Sequence, residues 1–411
     1  MLGFVVTNYL NRSLEPVLQR AVTEFPAVVL TGPRQSGKTT LLKHLFGSDY
    51  GYLSLELPDV RAAAEEDPRS FMARFPPPVI YDEVQFVPGL LPYIKERIDE
   101  DRSRAGQFLL SGSQNLLLNE RITESLPGRA AILHLLPMSG REACGNVHAP
   151  LVWEADHGTG TGLPLPPRTF WSQILRGGYP ELVAGPRRDL QLWHSSYIQT
   201  YLERDVRSLR QIGDLGRFRS FLRAIAARTG QLLNLSDISR DLGVAVNTAK
   251  AWLSILEATY QVFIVRPYFV SLGKRLVKSP KVYFANLGTL CHLTGLKDPD
   301  HAAAGPLAGP LMEAAVLGEI VKTLTHRGER PEVYFWRTAA GAEVDFVVEA
   351  NGTIIPIEAK TTATPRPRMV RGIKTLRKEL GKRCGPGFLI HTGDERLPMG
   401  SEVMAVGFSE L

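Results

Sequence analysis

Cysteine and long apolar runs are scarce in this sequence of 411 residues. Its three cysteines, Cys144, Cys291 and Cys384, are odd in number and widely separated, so a disulfide framework or a metal-binding cysteine pair is not expected. No apolar run approaches the roughly 18 residues that span a bilayer. No basic segment precedes the short apolar stretch at the start, so we expect no secretory signal. These absences predict a cytoplasmic protein with no membrane partner.

The excess of charge is also small. The 48 lysines and arginines exceed the 42 aspartates and glutamates, which gives a net charge of +6. This balance permits binding to nucleic acid, but a basic enzyme without such a partner has the same balance. The charge alone therefore leaves both classes open.

The order of sequence patterns divides the chain into regions. Residues 1–145 alternate strand-like and helix-like segments, which predicts a parallel sheet covered by helices. Residues 146–167 are rich in Gly, Pro, Thr and His and are predicted to be a linker. Residues 168–275 are mainly helical, and residues 276–411 mix helix and strand around a hairpin. The expected fold class is therefore α/β, with a parallel sheet first, a helical middle and an α/β C-terminal domain.

The segment GPRQSGKTT at residues 32–40 directly follows an apolar run at residues 27–30. Gly32 and Gly37 let the backbone curl so that its N–H groups face an anion, and a helix begins behind them. Lys38 supplies a charge for the β- and γ-phosphates, and Thr39 supplies a hydroxyl for Mg²⁺. The pattern predicts ATP binding by Gly32, Pro33, Arg34, Gln35, Ser36, Gly37, Lys38, Thr39 and Thr40.

A second apolar strand at residues 79–81 ends in two acids. The carboxyl ends of parallel strands are where open α/β sheets gather ligands. Asp82 is therefore predicted to join Thr39 around Mg²⁺, and Glu83 is predicted to polarise the attacking water. Glu83 and Lys38 are the candidate catalytic residues of this site.

A third apolar strand at residues 107–110 ends in Ser-Gly-Ser-Gln. Ser111 comes first after the strand, so it is the candidate to contact the γ-phosphate or the water. Arg129 is a weaker candidate for phosphate charge in its own or a neighbouring subunit, and a surface arginine is the alternative interpretation.

The order of these motifs resembles that of prokaryotic AAA-type ATPases that carry a C-terminal domain of unknown function. The resemblance continues through YLERDV at residues 201–206, SPKVYFANLG at 279–288, and the later WRTAAGAEVDFVV and PIEAK segments. Tyr81 departs from the family, in which an aliphatic residue is usual before the acidic pair. The resemblance implies an ATPase joined to a restriction-endonuclease-like module.

The middle region contains a pattern typical of a winged helix. Ser236 is predicted to cap one helix and Asn247 a second, and residues 261–267 are predicted to form a strand behind them. If the segment grips DNA, Asn247, Thr248 and Lys250 lie at the start of the recognition helix. The alternative is a helical packing module.

Asn351-Gly352 is a strong signal for a two-residue hairpin turn. A turn centred there pairs Asp345 with Glu358 and Glu343 with Lys360. Strict alternation then places these four polar residues on one face, with Val344, Phe346, Ile357 and Ala359 on the other.

Two opposed carboxylates repel, and a divalent cation between them would convert that cost into coordination. Asp345, Glu358 and Lys360 thus form the D…ExK pattern of restriction-like nucleases, with Mg²⁺ or Mn²⁺ as the expected metal. The resemblance adds Glu313 as the extra acid that many of these nucleases carry. A polar, solvated hairpin face is the alternative.

A basic helix is predicted after the hairpin, with its charged face formed by Arg371, Lys374, Lys378 and Lys382. Together, the patterns predict an ATPase that binds or cleaves nucleic acid, most simply DNA. The alternative is a nucleotide-switched interaction protein without nuclease activity. A homo-oligomer is compatible with either hypothesis.

Overall fold

The computed structural model describes residues 9–113, 125–155, 166–201, 214–269, 279–400 and 402–411. Three parts of the sequence predictions lie outside the described residues: Gln114 of the polar loop, most of the YLERDV motif, and the centre of the linker at residues 156–165.

The first region is built on a five-stranded parallel sheet in the order β2-β3-β4-β1-β5. Side chains alternate along β1, so Val29 packs into the core on one face while Val28 and Leu30 pack into the core on the other. Burial on both faces explains why the three central strands of this sheet read as apolar runs. The strands are β1 Ala27–Thr31, β2 Gly51–Ser54, β3 Val79–Asp82, β4 Phe108–Gly112 and β5 Ala130–His134.

Helices cover this sheet, as the alternating pattern predicts. They are α1 Glu15–Glu24, α2 Lys38–Phe46, α3 Pro58–Glu66, α4 Pro68–Arg74, α5 Leu91–Glu100 and the short α6 Gly140–Ala143. Helix α2 begins directly after Gly37, whose φ of 94° lies in the left-handed region.

The middle region is helical. Its elements are α7 Pro167–Arg176, α8 Pro180–Ala184, α9 Leu190–Tyr201, α10 Leu215–Ala227, α11 Leu235–Leu242 and α12 Val246–Ala258. Helices α11 and α12 are joined by a turn at Gly243, as predicted. The predicted caps are wrong, because Asn234 rather than Ser236 caps α11, and α12 follows Ala245 without a side-chain cap.

The C-terminal region contains an eight-stranded mixed sheet in the order β12-β13-β11-β10-β9-β8-β6-β7. Strand β6 Val262–Pro267 is therefore not a separate wing, because it pairs antiparallel with β7 Lys281–Phe284 and parallel with β8 Val333–Arg337. The other strands are β9 Glu343–Ala350, β10 Thr353–Lys360, β11 Gly387–His391, β12 Leu397–Pro398 and β13 Val403–Gly407. The mixed α/β fold class is confirmed.

Two faces of the eight-stranded sheet are covered differently. One face shares a hydrophobic core with the middle helices and with α13 Leu287–Thr294, α14 Pro299–Ala304 and α15 Ala308–His326. The other face packs against α16 Arg371–Leu380, through Ile373 and Leu376. Within the described residues, no helix combines the length and apolar character needed to cross a membrane.

Gly372 lets α16 approach the sheet closely. A methyl group at this position would overlap the carbonyl oxygen of Glu343 and lie 3.0 Å from Glu358 Oε1. We predict that Gly372→Ala destabilises the protein by about 1–3 kcal/mol in urea unfolding, since backbone cannot give way as a flexible side chain can. Gly309→Ala is the matched control, because Gly309 is also the second residue of a helix but nothing lies within 4 Å of an added methyl group. Its stability should be unchanged or raised by up to about 1 kcal/mol. Equal stability of the two variants would contradict the close approach.

Candidate nucleotide site and buried acid cluster

The segment that follows β1 has the backbone conformation of an anion-binding loop. Gly32, Gln35 and Gly37 have φ values of 152°, 63° and 94°. A methyl group on Gly32 would overlap the carbonyl oxygen of Leu135, so a side chain cannot be accommodated there. Lys38 Nζ donates to the carbonyl oxygens of Gly32 and Pro33 at 3.0 and 2.9 Å, and so lies folded across the loop.

Asp82 joins the loop to the end of β3. Thr39 Oγ1 donates to its two carboxylate oxygens at 3.1 and 2.9 Å, and Tyr52 donates to Oδ2 at 2.8 Å. Ser111 Oγ also donates to Asp82, at Oδ1. The structure therefore brings together Thr39, Asp82 and Ser111 as the sequence predicts. Neighbouring hydroxyl and carboxylate oxygens are hard ligands that suit Mg²⁺.

Glu83 follows Asp82 with a φ of 58°, in the left-handed region. Its N–H donates to Ser111 Oγ at 3.3 Å, and its carboxylate accepts from Ser113 Oγ at 3.1 Å and from Gln85 Nε2. Strand β4 lies between β1 and β3, so its terminal serines sit between the loop and the two acids. The hydrogen bonds from Ser113 and Gln85 hold the Glu83 carboxylate beside a cavity that opens from the loop.

The loop opens into a cavity of about 620 Å³. Lys38, Thr39 and Glu83 line it together with residues from two other parts of the chain, namely Tyr9, Leu10, Arg12, Pro180, Glu181, Ala184, Tyr197 and Thr200. Sequence reasoning missed these residues because they belong to no local phosphate-binding motif. The helical middle region thus supplies one wall of this cavity.

Arg129 does not reach this cavity. It precedes β5, so it lies at the amino ends of the parallel strands, whereas the loop after β1 lies at their carboxyl ends. Its guanidinium group forms two hydrogen bonds to Asp99 at 2.8 and 3.0 Å. A role for Arg129 in its own subunit's phosphate site is therefore not supported.

The hairpin of β9 and β10 has the predicted turn and register. Asn351 and Gly352 have φ values of 50° and 77°, and Phe346 pairs with Ile357. The predicted alternation is wrong beyond that pair. On β9, two residues, Asp345 and Phe346, lie between Val344 and Val347. On β8, only one residue lies between the two partners of these valines. This bulge places Val344 and Phe346 in cores on opposite faces of the sheet.

The bulge changes the direction of the Asp345 side chain. Its Oδ2 accepts the backbone N–H of Ala359 at 2.9 Å, so a side chain replaces a backbone acceptor in the ladder. Lys360 Nζ donates to Asp345 Oδ2 at 2.9 Å and to Glu358 Oε2 at 2.7 Å. Asp345 and Glu358 are buried, with 7% and 4% of their surface exposed.

The surroundings shift the pKa values of the two acids in opposite directions. Burial and the negative charge of Asp345 raise the pKa of Glu358 well above its usual range. Burial would also raise the pKa of Asp345, but Lys360, Glu358 and the Ala359 amide hold it below its usual value. The Lys360 ammonium, bonded to both acids, offsets their negative charge.

A second lysine, missed by the sequence analysis, connects Glu313 to this cluster. Lys281 Nζ lies 2.7 Å from Glu343 Oε1 and 3.8 Å from Glu313 Oε2. The predicted pairing of Glu343 with Lys360 is therefore wrong, because Glu343 pairs with Lys281. Tyr283 donates to Glu313 Oε2 at 2.8 Å. The only sequence signal for Lys281 and Tyr283 is their position in the SPKVYFANLG segment.

The predicted metal between Asp345 and Glu358 does not fit this arrangement. The Lys360 ammonium bonds to both acids, where a cation would have to bind. In the described ranges, no group of three or more His, Cys, Asp or Glu side chains is placed to hold a metal ion. Glu313 contacts Tyr283 and Lys281 and does not complete a ligand set.

Three family models match the sequence. An AAA domain matches residues 24–144, a domain of unknown function (DUF8612) matches residues 167–300, and another (DUF4143) matches residues 308–411. The uncharacterized protein Rv2008c of Mycobacterium tuberculosis is 30% identical over 391 residues, covering 95% of this chain and 81% of that protein. The uncharacterized protein Mb2031c of Mycobacterium bovis gives the same values.

Solved structures are less similar. The Walker-type ATPase PABY2304 of Pyrococcus abyssi is 17% identical, with a TM-score of 0.46 over 70% of this chain and 97% of its own. A RuvB variant of Thermotoga maritima is 15% identical, with a TM-score of 0.26 over 61% of this chain and 85% of its own.

The carboxyl group of Glu313 should make stability depend on pH. Burial and the charge of Asp345 raise its pKa from 4.5 to about 7. Folding then favours the protonated form, so this contribution is full below pH 4.5 and is lost as the pH rises through 7. We predict that Glu313→Gln gains stability relative to the unmodified protein between pH 5 and pH 8, by on the order of 1 kcal/mol in urea unfolding. Glu379→Gln, an exposed position on α16, serves as control and should show no such trend. A constant difference for Glu313→Gln at both pH values would contradict the raised pKa.

Proposed function

Because the chain belongs to the family of these two mycobacterial proteins and carries an AAA domain, we propose that it is a Mg²⁺-dependent ATPase whose nucleotide state controls nucleic-acid binding by its C-terminal half. The observation that carries the ATPase part is the contact of Thr39 Oγ1 with Asp82 at 2.9 Å. It joins the phosphate-binding loop to the acidic strand end at one point.

Each polar residue of the cavity has a role in this proposal. Lys38 leaves the carbonyl oxygens of Gly32 and Pro33 and moves to the β- and γ-phosphates. Thr39 and Asp82 hold Mg²⁺, which when bound neutralises charge on the phosphates. Glu83 orients and polarises the attacking water, and the short contacts from Ser113 and Gln85 hold its carboxylate in place. Ser111 connects Asp82 to the backbone of Glu83 and so sets the spacing of the two acids.

Two exposed basic surfaces support the nucleic-acid part of the proposal. The first is the outer face of α16 and the turn behind it, formed by Arg371, Lys374, Lys378 and Lys382, all of which are exposed. The second is the start of α12, where Asn247 and Lys250 are exposed after a tight turn from α11. Helix starts and lysine side chains are both suited to contact phosphate groups.

A second candidate function is a nucleotide-switched interaction protein without nuclease activity. Lys360 favours it, because its ammonium already neutralises the acids that a nuclease would use for a metal. The raised pKa of Glu358 also opposes metal binding, because a carboxyl group must lose its proton to bind a metal. We therefore assign no cleavage step to this cluster.

The ATPase proposal predicts different effects for two variants. Lys38→Ala should weaken nucleotide binding at least about tenfold, because the loop loses its charge for the phosphates. Glu83→Gln should leave affinity within about twofold but lower turnover by about 100-fold or more, because only the water-polarising group changes. Nucleotide titration and steady-state turnover measure the two effects.

Glu100→Gln is the control for these variants, since Glu100 is exposed at the end of α5, pairs with Arg97 and does not line the cavity. It should retain both affinity and turnover. Full ATPase activity in Lys38→Ala and Glu83→Gln together would refute the assignment of this site.

The nucleic-acid proposal predicts salt-dependent binding. In gel-shift titrations at low salt, Lys374→Glu and Lys250→Glu should each weaken binding and lower the slope of log affinity against log salt by about 1 or more, because each removes a phosphate contact. Lys297→Glu, at another exposed position, is the control and should bind as the unmodified protein does.

Failure to bind any duplex or single strand at low salt would refute this part and favour the interaction protein. Plasmid nicking with Mg²⁺ or Mn²⁺, measured with and without ATP, separates binding from cleavage. Nicking that Asp345→Ala abolishes while ATPase turnover persists would overturn the second candidate.

A further inference from the structure

One helix, α15, reaches both the nucleotide domain and the acid cluster. Near its start, Glu313 contacts Tyr283 and Lys281, which lie beside the acid cluster of Asp345, Glu358 and Lys360. Its last residue, His326, is 13 positions further on, which corresponds to about 20 Å of helix. Almost every residue between them is buried, so the helix is held along its length.

The C-terminal end of α15 forms hydrogen bonds with the segment that follows β5. Lys322 Nζ donates to the carbonyl oxygen of Met138 at 3.1 Å, and Glu319 accepts the N–H of Gly140 at 2.6 Å. His326 Nε2 accepts the N–H of Leu136 at 3.0 Å. Since that nitrogen is an acceptor, the ring proton of neutral His326 lies on Nδ1.

Arg12 connects the same segment to the phosphate-binding loop. One guanidinium nitrogen donates to the carbonyl oxygen of Ser36 at 2.8 Å and the other to that of Leu136 at 2.6 Å. Its Nε donates to Glu142 Oε1 at 3.1 Å. Arg12 is only 4% exposed, so these contacts are made away from bulk water.

Glu142 closes the network. Its Oε1 accepts from the N–H of Ser13 at 2.8 Å, and His326 Nδ1 lies 3.1 Å from the same oxygen, at ion-pair distance but outside hydrogen-bond geometry. Burial would raise the pKa of Glu142, but the Arg12 guanidinium and the Ser139 N–H hold it far below its usual value, so the carboxylate is charged.

We infer that Arg12, Glu142 and His326 are positioning residues through which nucleotide at the phosphate-binding loop moves α15 and, at the other end of that helix, Glu313 beside the acid cluster. The inference rests on the proposed nucleotide binding and gives it a physical route to the C-terminal half.

The route follows from the cost of separating buried charges. When Lys38 leaves the carbonyl oxygens of Gly32 and Pro33 for the phosphates, the loop that holds Ser36 loses these two contacts and adjusts around the phosphates. Arg12 is bonded to that loop, and a buried ion pair separates only at a large cost, so Arg12 and Glu142 shift together. Because His326, Lys322 and Glu319 hold the adjoining backbone, the shift reaches α15 as a whole. Packed helices move as rigid units, which carries the shift to Glu313.

The test is hydrogen exchange in the full chain, with and without a saturating non-hydrolysable ATP analogue and Mg²⁺. In the unmodified protein, we expect the analogue to change exchange rates about threefold or more in residues 309–316 and 343–360. His326→Gln should still bind the analogue, because His326 does not line the cavity, but it should lose at least about half of the logarithmic change, because it breaks the route at the end of α15. His326→Gln keeps an acceptor for the Leu136 amide and removes the ring nitrogen beside Glu142.

Arg327→Gln is the matched control. Arg327 follows His326 at the same helix end, but it pairs with Glu154 at 2.8 Å and with the Ala149 carbonyl oxygen. It should transmit the full change. Unaltered transmission in His326→Gln would overturn the inference, as would an unmodified protein that binds the analogue with no change in the two segments. Failure of the unmodified protein to bind the analogue would instead refute the proposed function. If His326→Gln does not fold, Lys322→Met decides in its place, because it removes the contact with Met138 at the same helix end and Lys322 also lies outside the cavity lining.

Discussion

A single buried carboxylate, that of Glu142, holds together three parts of the chain that are far apart in sequence. It accepts from Arg12 and the Ser13 amide near the start, from the Ser139 amide beside it, and lies against His326 near the end of α15. A charge buried this deeply is tolerable only with such partners, and removing one typically costs about 3–5 kcal/mol. The relative placement of the nucleotide domain and the C-terminal region depends on this requirement.

The nucleotide site could be predicted because its information is local. The loop, its lysine and its threonine lie within nine residues, and Asp82 and Glu83 mark a strand end, so the sequence predicts their meeting at one sheet edge. The residues that close the cavity could not be found in this way. Arg12 and Tyr197 have no motif of their own. The packing of the middle helices brings Tyr197 to the cavity, and contacts with Ser36, Leu136 and Glu142 hold Arg12 there. The assignment of roles to Lys38 and Glu83 stays a prediction.

The hairpin shows the same division within a few residues. The turn at Asn351-Gly352 is fixed by local backbone preference, so its register was predicted correctly as far as Phe346 and Ile357. The bulge at Asp345 depends on β8, which is a tertiary partner that the hairpin sequence does not reveal. With this one extra residue in β9, Glu343 pairs with Lys281 in place of Lys360, and Lys360 pairs with both Asp345 and Glu358. A pattern of three residues therefore predicted proximity but not the chemistry of the cluster.

The eight-stranded sheet also bears on how such a chain can evolve. Strand β7 pairs with β6, and β6 in turn covers the edge of β8. A gene fragment beginning after β6 would encode a sheet with β8 unprotected, and an open edge of this kind invites pairing with other chains. The C-terminal region is thus poorly suited to transfer between unrelated proteins by recombination. Selection should preserve it together with the helices that precede it, as one inherited unit.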